Sequence, residues 1–147
     1  MESSNAPPRV LVVAHKTAAT PPLLQAVRER AGRGPCRFTL LVPRTTHGLH
    51  KMVDDPGDKD VGEAQTVINA AVPLLSDAAG APVESLVGDA DPGAAIQDAI
   101  NLQGFDEVII STLSPRLSRW LKLDLPSKVT GLGLPVTTVT PSDSAAA

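Results

Sequence analysis

The sequence predicts an α/β protein: a three-layer α/β/α sandwich built on a five-stranded, parallel, doubly wound sheet with strand order 3-2-1-4-5. Three observations predict it. Short, near-continuous runs of β-branched and aliphatic residues recur along the chain, as in strands covered on both faces. Between them lie longer stretches whose apolar residues repeat at three and four positions, the period of a helix with one buried side. Every link between strands is long enough for a right-handed crossover, so the strands run parallel.

Residues 1–8 are polar and Pro-containing and read as a flexible tail. The single domain is expected over 9–140, followed by a second small, polar tail at 141–147. Its first strand is Arg9 to Ala14, RVLVVA, ending in His15-Lys16-Thr17. Thr20 is placed to cap the next helix with Pro21 at its first position, Leu23, Leu24, Val27 and Ala31 share one face, and Gly32 and Gly34 close it. Arg37 to Pro43, RFTLLVP, is the second strand. A long loop follows from Arg44 to Val61, then a helix from Gly62 to Ala79 with a kink expected at Pro73. Pro82 to Gly88 is the third strand, and Asp91-Pro92 opens a helix that buries Ala95, Ile96, Ala99 and Ile100 and stops at Gly104. Asp106 to Ile110 and Pro135 to Val139 complete the sheet, with a short helix opening near Asp124 between them.

Composition narrows the function classes. The chain has 147 residues, enough for one core. Hydrophobic residues make up 42% and charged residues 20%, which is globular rather than disordered. Two Phe, one Trp and no Tyr leave no stacking platform for nucleic acid, and a net charge of −3 gives no general electrostatic grip on one. No stretch is long and apolar enough for a membrane span, no leader pattern is present, and the expected compartment is the cytoplasm. The one cysteine, Cys36, has no thiol partner and reads as a small apolar residue near a strand start.

With strand order 3-2-1-4-5 the winding reverses between the first and fourth strands, and in open α/β sheets ligands bind above that point. His15, Lys16 and Thr17 are thereby expected beside Ser111 and Thr112.

Taken in order, VLVVAHKT, VGDADPGAAIQDAI, FDEVIISTLSP and GLGLPVTTV resemble the universal stress protein family over roughly residues 9–140. The resemblance implies a five-stranded parallel sheet and a dimer paired through the last strand. Its ATP-binding members carry Gly-x2-Gly-x9-Gly-Ser/Thr after the fourth strand and an Asp at the end of the first. The matching positions here are Ser111, Ser114, Asp124 and Leu125, with His15 in place of the Asp. No glycine of the cradle is present, so the expectation is a degenerate nucleotide site for a small anion or a nucleotide such as ATP or AMP. A missing Cβ is what lets backbone N–H groups approach phosphate oxygens, and the Asp124 carboxylate repels them.

The candidate ligand-binding residues are His15, Lys16, Thr17, Ser111, Thr112, Ser114 and Arg116. Arg116, Arg119 and Lys122 supply cations for an anion; alternatively they form a solvated basic face in which Arg119 pairs with Asp124 and Trp120 covers a helix edge. His15 either contacts the ligand or donates to a loop carbonyl. His47, His50, Asp54 and Asp55 make a poor match to metal-ligand spacing, and their loop reads better as a lid over the crevice. No Gly-x-Ser-x-Gly elbow or acid–base pair occurs, so no catalytic residue is assigned. The leading expectation is a non-enzymatic binding or regulatory protein. The alternatives are a phosphate-ester or nucleotide hydrolase of the same fold group, and an interaction module using residues 44–61.

Overall fold

In the computed structural model the described residues are 7–15, 17–44, 56–89, 91–112 and 124–140. Among these residues five strands and four helices alternate: β1 (Arg9–Val13), α1 (Pro21–Gly32), β2 (Arg37–Pro43), α2 (Pro56–Ala79), β3 (Glu84–Gly88), α3 (Pro92–Gln103), β4 (Glu107–Ser111), α4 (Leu125–Thr130) and β5 (Val136–Val139). The sheet order is β3-β2-β1-β4-β5, and all neighbouring strands are parallel. The order and the layers are those the sequence predicts.

Alternation along the strands divides the core in two. Val10, Val12, Leu40, Val42 and Ile109 face one side with Leu23 and Val27 of α1 and Ala64, Ile68, Ala71 and Leu75 of α2. Leu11, Val13, Leu41, Val108 and Ile110 face the other, with Ala95, Ile96 and Ala99 of α3 and Leu125 and Val129 of α4. The central strands are buried on both faces because helices cover both, which is why they read as continuous apolar runs. Leu24 and Ile100, also expected on buried helix faces, are only partly buried and pack at the margins of these clusters.

Several boundaries differ from expectation. The loop after β2 does not extend to Val61: α2 already begins at Pro56, a residue suited to a first helical position. The acidic run that reads as loop is also acceptable in the first turns of a helix, where the macrodipole favours negative charge. Pro73 lies inside α2, where it removes one backbone donor. Thr20 occupies the cap position of α1, yet its hydroxyl donates to the Thr17 carbonyl at 2.9 Å instead of accepting a helix N–H. Pro21 and Pro22 have no N–H to offer, so this helix start presents fewer donors to satisfy. Asp91 does cap α3, accepting from the Gly93 N–H at 3.1 Å. Gly104 ends that helix at φ 81°, a conformation glycine adopts without a Cβ clash.

At the amino ends of the strands, Arg9 ties β1 to the end of α3. Its backbone N–H donates to Asp106 Oδ2 at 2.8 Å, and Nη1 donates to the Gln103 carbonyl at 2.7 Å. Cys36 sits just before β2, partly buried against the core; burial pushes its thiol pKa up, opposed by the Arg30 charge, so it is not an activated nucleophile.

Candidate functional site

At the carboxyl ends of β1 and β4 the winding reverses, because the chain leaves β1 for β2 on one side and β4 pairs with β1 on the other. Val13 is in register with Ile110, so the residues just beyond, including His15, Thr17, Ser111 and Thr112, lie together at one end of the sheet.

The closest contact there is between two hydroxyls. Thr17 Oγ1 and Ser111 Oγ are 2.7 Å apart, and both residues are buried. Ser111 Oγ also lies 3.4 Å from the Thr17 carbonyl. One proton arrangement satisfies both groups: Thr17 donates to Ser111 Oγ while Ser111 donates to the Thr17 carbonyl. The same carbonyl accepts from the N–H and hydroxyl of Thr20, at 3.2 and 2.9 Å. This network fastens the turn after β1 to the end of β4 and to the start of α1.

Thr112 is 5% exposed, and its N–H donates to the Val139 carbonyl at 2.9 Å, continuing the ladder to β5. Thr17, Ser111 and Thr112 are therefore all buried at this end of the sheet, with the Thr17 and Ser111 hydroxyls turned to each other. His15 is half-buried, and its carbonyl accepts from the Ala18 N–H at 3.2 Å. Lys16, Ser114, Arg116, Arg119, Trp120 and Lys122 lie outside the described residues, as do His47, His50, Asp54, Asp55, residues 1–6 of the tail expected over 1–8, and the tail expected over 141–147. Among the described residues no group of three His, Cys, Asp or Glu side chains converges as a metal site, and no helix is long and apolar enough to cross a membrane.

The start of α4 holds the feature that sequence reasoning missed. Asp124 has φ 59° and ψ 40°, the left-handed conformation, and is the one non-glycine residue with positive φ among those described. A left-handed backbone is what a glycine permits at that position, and Asp is among the few side chains that tolerate it. Asp directly before Leu-Pro is the signal that could have indicated it, since Asp is suited to a turn that precedes a proline-started helix. Leu125 is 2% exposed and belongs to the core between α3 and α4. A methyl group added at Gly93 would lie 3.9 Å from Leu125 Cδ1, so the first turns of α3 and α4 are adjacent. Position 125 therefore carries a core anchor, while the backbone beside it at Asp124 has a glycine-like conformation.

No protein-family model matches the sequence, and no curated protein matches it. Solved structures do. The chain is similar to a universal stress protein from Archaeoglobus fulgidus at 16% identity and a TM-score of 0.64, over 91% of this chain and 94% of that one. It is similar to a universal stress protein family member from Arabidopsis thaliana with AMP bound, at 16% identity and a TM-score of 0.61, over 95% and 99% of the two chains. The Archaeoglobus fulgidus protein in complex with dAMP aligns at 17% identity and a TM-score of 0.58, over 90% and 97%. The fold is that of the universal stress proteins, over nearly the whole chain.

Proposed function

We propose that this chain is a divergent universal stress protein, a non-enzymatic binding and regulatory protein of the cytoplasm whose crevice above β1 and β4 takes a nucleoside monophosphate or a small anion. The observation that carries the reading is the left-handed Asp124: directly before α4 the backbone has a conformation that glycine adopts freely, as a phosphate-binding turn requires. Support comes also from two structural neighbours, one with AMP and one with dAMP. In this reading His15, Lys16, Ser114 and Arg116 meet the ligand, while Thr17, Ser111 and Thr112 hold the wall that positions them.

A thermal-shift titration with AMP, ATP and inorganic phosphate tests it. AMP at roughly 100 times its Kd is expected to stabilise the chain by about 2.7 kcal/mol. No shift with any of the three ligands at about 10 mM would exclude affinities of biological use. Asp124→Gly removes both the side-chain strain of the left-handed turn and a negative charge. It is expected to raise stability by about 1 kcal/mol and to strengthen ATP binding relative to AMP. Unchanged stability together with unchanged ATP affinity would separate this turn from the site.

We also propose a homodimer formed along β5. Among the described residues this strand pairs only with β4, and it exposes Thr137 and Thr138, so one row of its backbone donors and acceptors is offered to a second copy. Sedimentation at about micromolar concentration should give a dimer, and Thr138→Pro, which removes a backbone donor, should shift it toward monomer. A monomer across the whole concentration range rejects the edge-strand dimer.

A further inference from the structure

We infer that the cleft between α1 and the β4–β5 edge of the sheet is a second small-molecule site, suited to a zwitterion of the α-amino-acid class. It is independent of the crevice and lies toward the opposite end of the sheet. Arg30 is in the last turn of α1 and Glu107 opens β4, whereas the crevice lies beyond the last residue of β4. The cleft has a volume of about 270 Å³. Ligand clefts for drug-sized molecules run from roughly 300 to 1,000 Å³, so this one suits a ligand of amino-acid size.

Its chemistry follows from one stripe of α1 continued by Arg33, the residue that caps its carboxyl end. Ala26, Glu29, Arg30 and Arg33 recur at three and four residues and face the cleft together. Arg30 Nε donates to Glu107 Oε1 at 2.9 Å, and the two side chains are only 12% and 20% exposed, so this pair forms a fixed, neutral base. Arg30 uses Nε there, and its guanidinium carries further N–H donors. On the rim, Glu29 and Arg33 are exposed and carry opposite charges four residues apart, which places their Cβ atoms roughly 6 Å from each other. Glu29 takes the Gln25 side-chain N–H on Oε2, leaving Oε1 as an acceptor. Ile109, 2% exposed, and Ala26 give the cleft an apolar surface, and Thr137 adds a hydroxyl from the edge strand.

Two cations and two anions line this cleft. A simple anion would meet both glutamates, and a simple cation both arginines. A ligand with both signs matches: its carboxylate on Arg33, its ammonium on Glu29, and an aliphatic side chain over Ala26 and Ile109.

The test titrates the full chain with L-leucine and follows the methyl resonances of Ala26, Ile109 and Thr137. Saturable shifts of these methyls at about millimolar ligand are expected, with affinity at least roughly tenfold weaker for 4-methylpentanoate and for 3-methylbutylamine, which carry one charge each. Arg33→Gln and Glu29→Gln, both at exposed positions, are each expected to weaken L-leucine about tenfold without unfolding the chain. The inference is overturned if no saturable shift develops by about 50 mM, if the shifts fall on methyls remote from the cleft, if either single-charge analogue binds as well as L-leucine, or if both variants bind unchanged.

Discussion

Gly88→Ala is expected to lower the stability of this chain by about 1–3 kcal/mol, the cost of overpacking a filled core. Gly88 ends β3 directly beneath α3. A Cβ there would lie 2.7 Å from Ala95 Cβ and 2.8 Å from Leu41 Cδ1, with Ala95 Cα at 3.5 Å. Leu41 and Ala95 are each 1% exposed, so neither has open space to move into. The Ala95 side chain has no rotamer to change, and the clash must be relieved by lifting α3. Urea denaturation should show a lower midpoint at unchanged slope, and Ala95→Gly in the same chain should recover part of the loss. Gly62→Ala is the contrasting substitution: nothing lies within 4 Å of its added Cβ, inside α2. It should stabilise by about 0.5–1 kcal/mol through helix propensity. Equal effects of Gly88→Ala and Gly62→Ala would show that close packing of α3 on β3 is not what position 88 requires.

The second large effect is expected at the hydroxyl pair. Ser111→Ala leaves the Thr17 hydroxyl buried without its 2.7 Å partner, and Thr17→Val leaves the Ser111 hydroxyl only its 3.4 Å contact with the Thr17 carbonyl. Each single change should cost about 1–3 kcal/mol, the penalty for an unsatisfied buried polar group. The double variant removes both hydroxyls and should cost clearly less than the sum, with a coupling of about 0.5–3 kcal/mol. Additive losses would mean that the two hydroxyls do not depend on each other.

The sheet was legible because its central strands have no ambiguous residues. VLVV and VII are buried on both faces and could be read from composition alone. β3 was harder to delimit: its burial is only partial, and its pairing begins at Glu84 rather than at Pro82, which has no N–H to give. The start of α2 was missed because an acidic, proline-led segment reads equally as loop or as helix start. At the crevice, the sequence located Thr17 and Ser111 at adjacent strand ends but not that their hydroxyls bind each other. That contact depends on side-chain directions set by long-range register. Asp124 reads as a lost glycine; the backbone angle that partly restores the glycine's shape is a tertiary outcome.

The sheet order has a consequence for how the molecule assembles. β1, β2 and β3 are joined by pairings between segments close in sequence, whereas β1 must wait for β4, and the Thr17–Ser111 bond closes a separation of 94 residues. Long-range closures are entropically costly and form late. During synthesis, which proceeds from the amino terminus, three strands and their helices are available before β4 emerges. The end of the sheet where Thr17 meets Ser111 therefore takes shape only after the first three strands are in place.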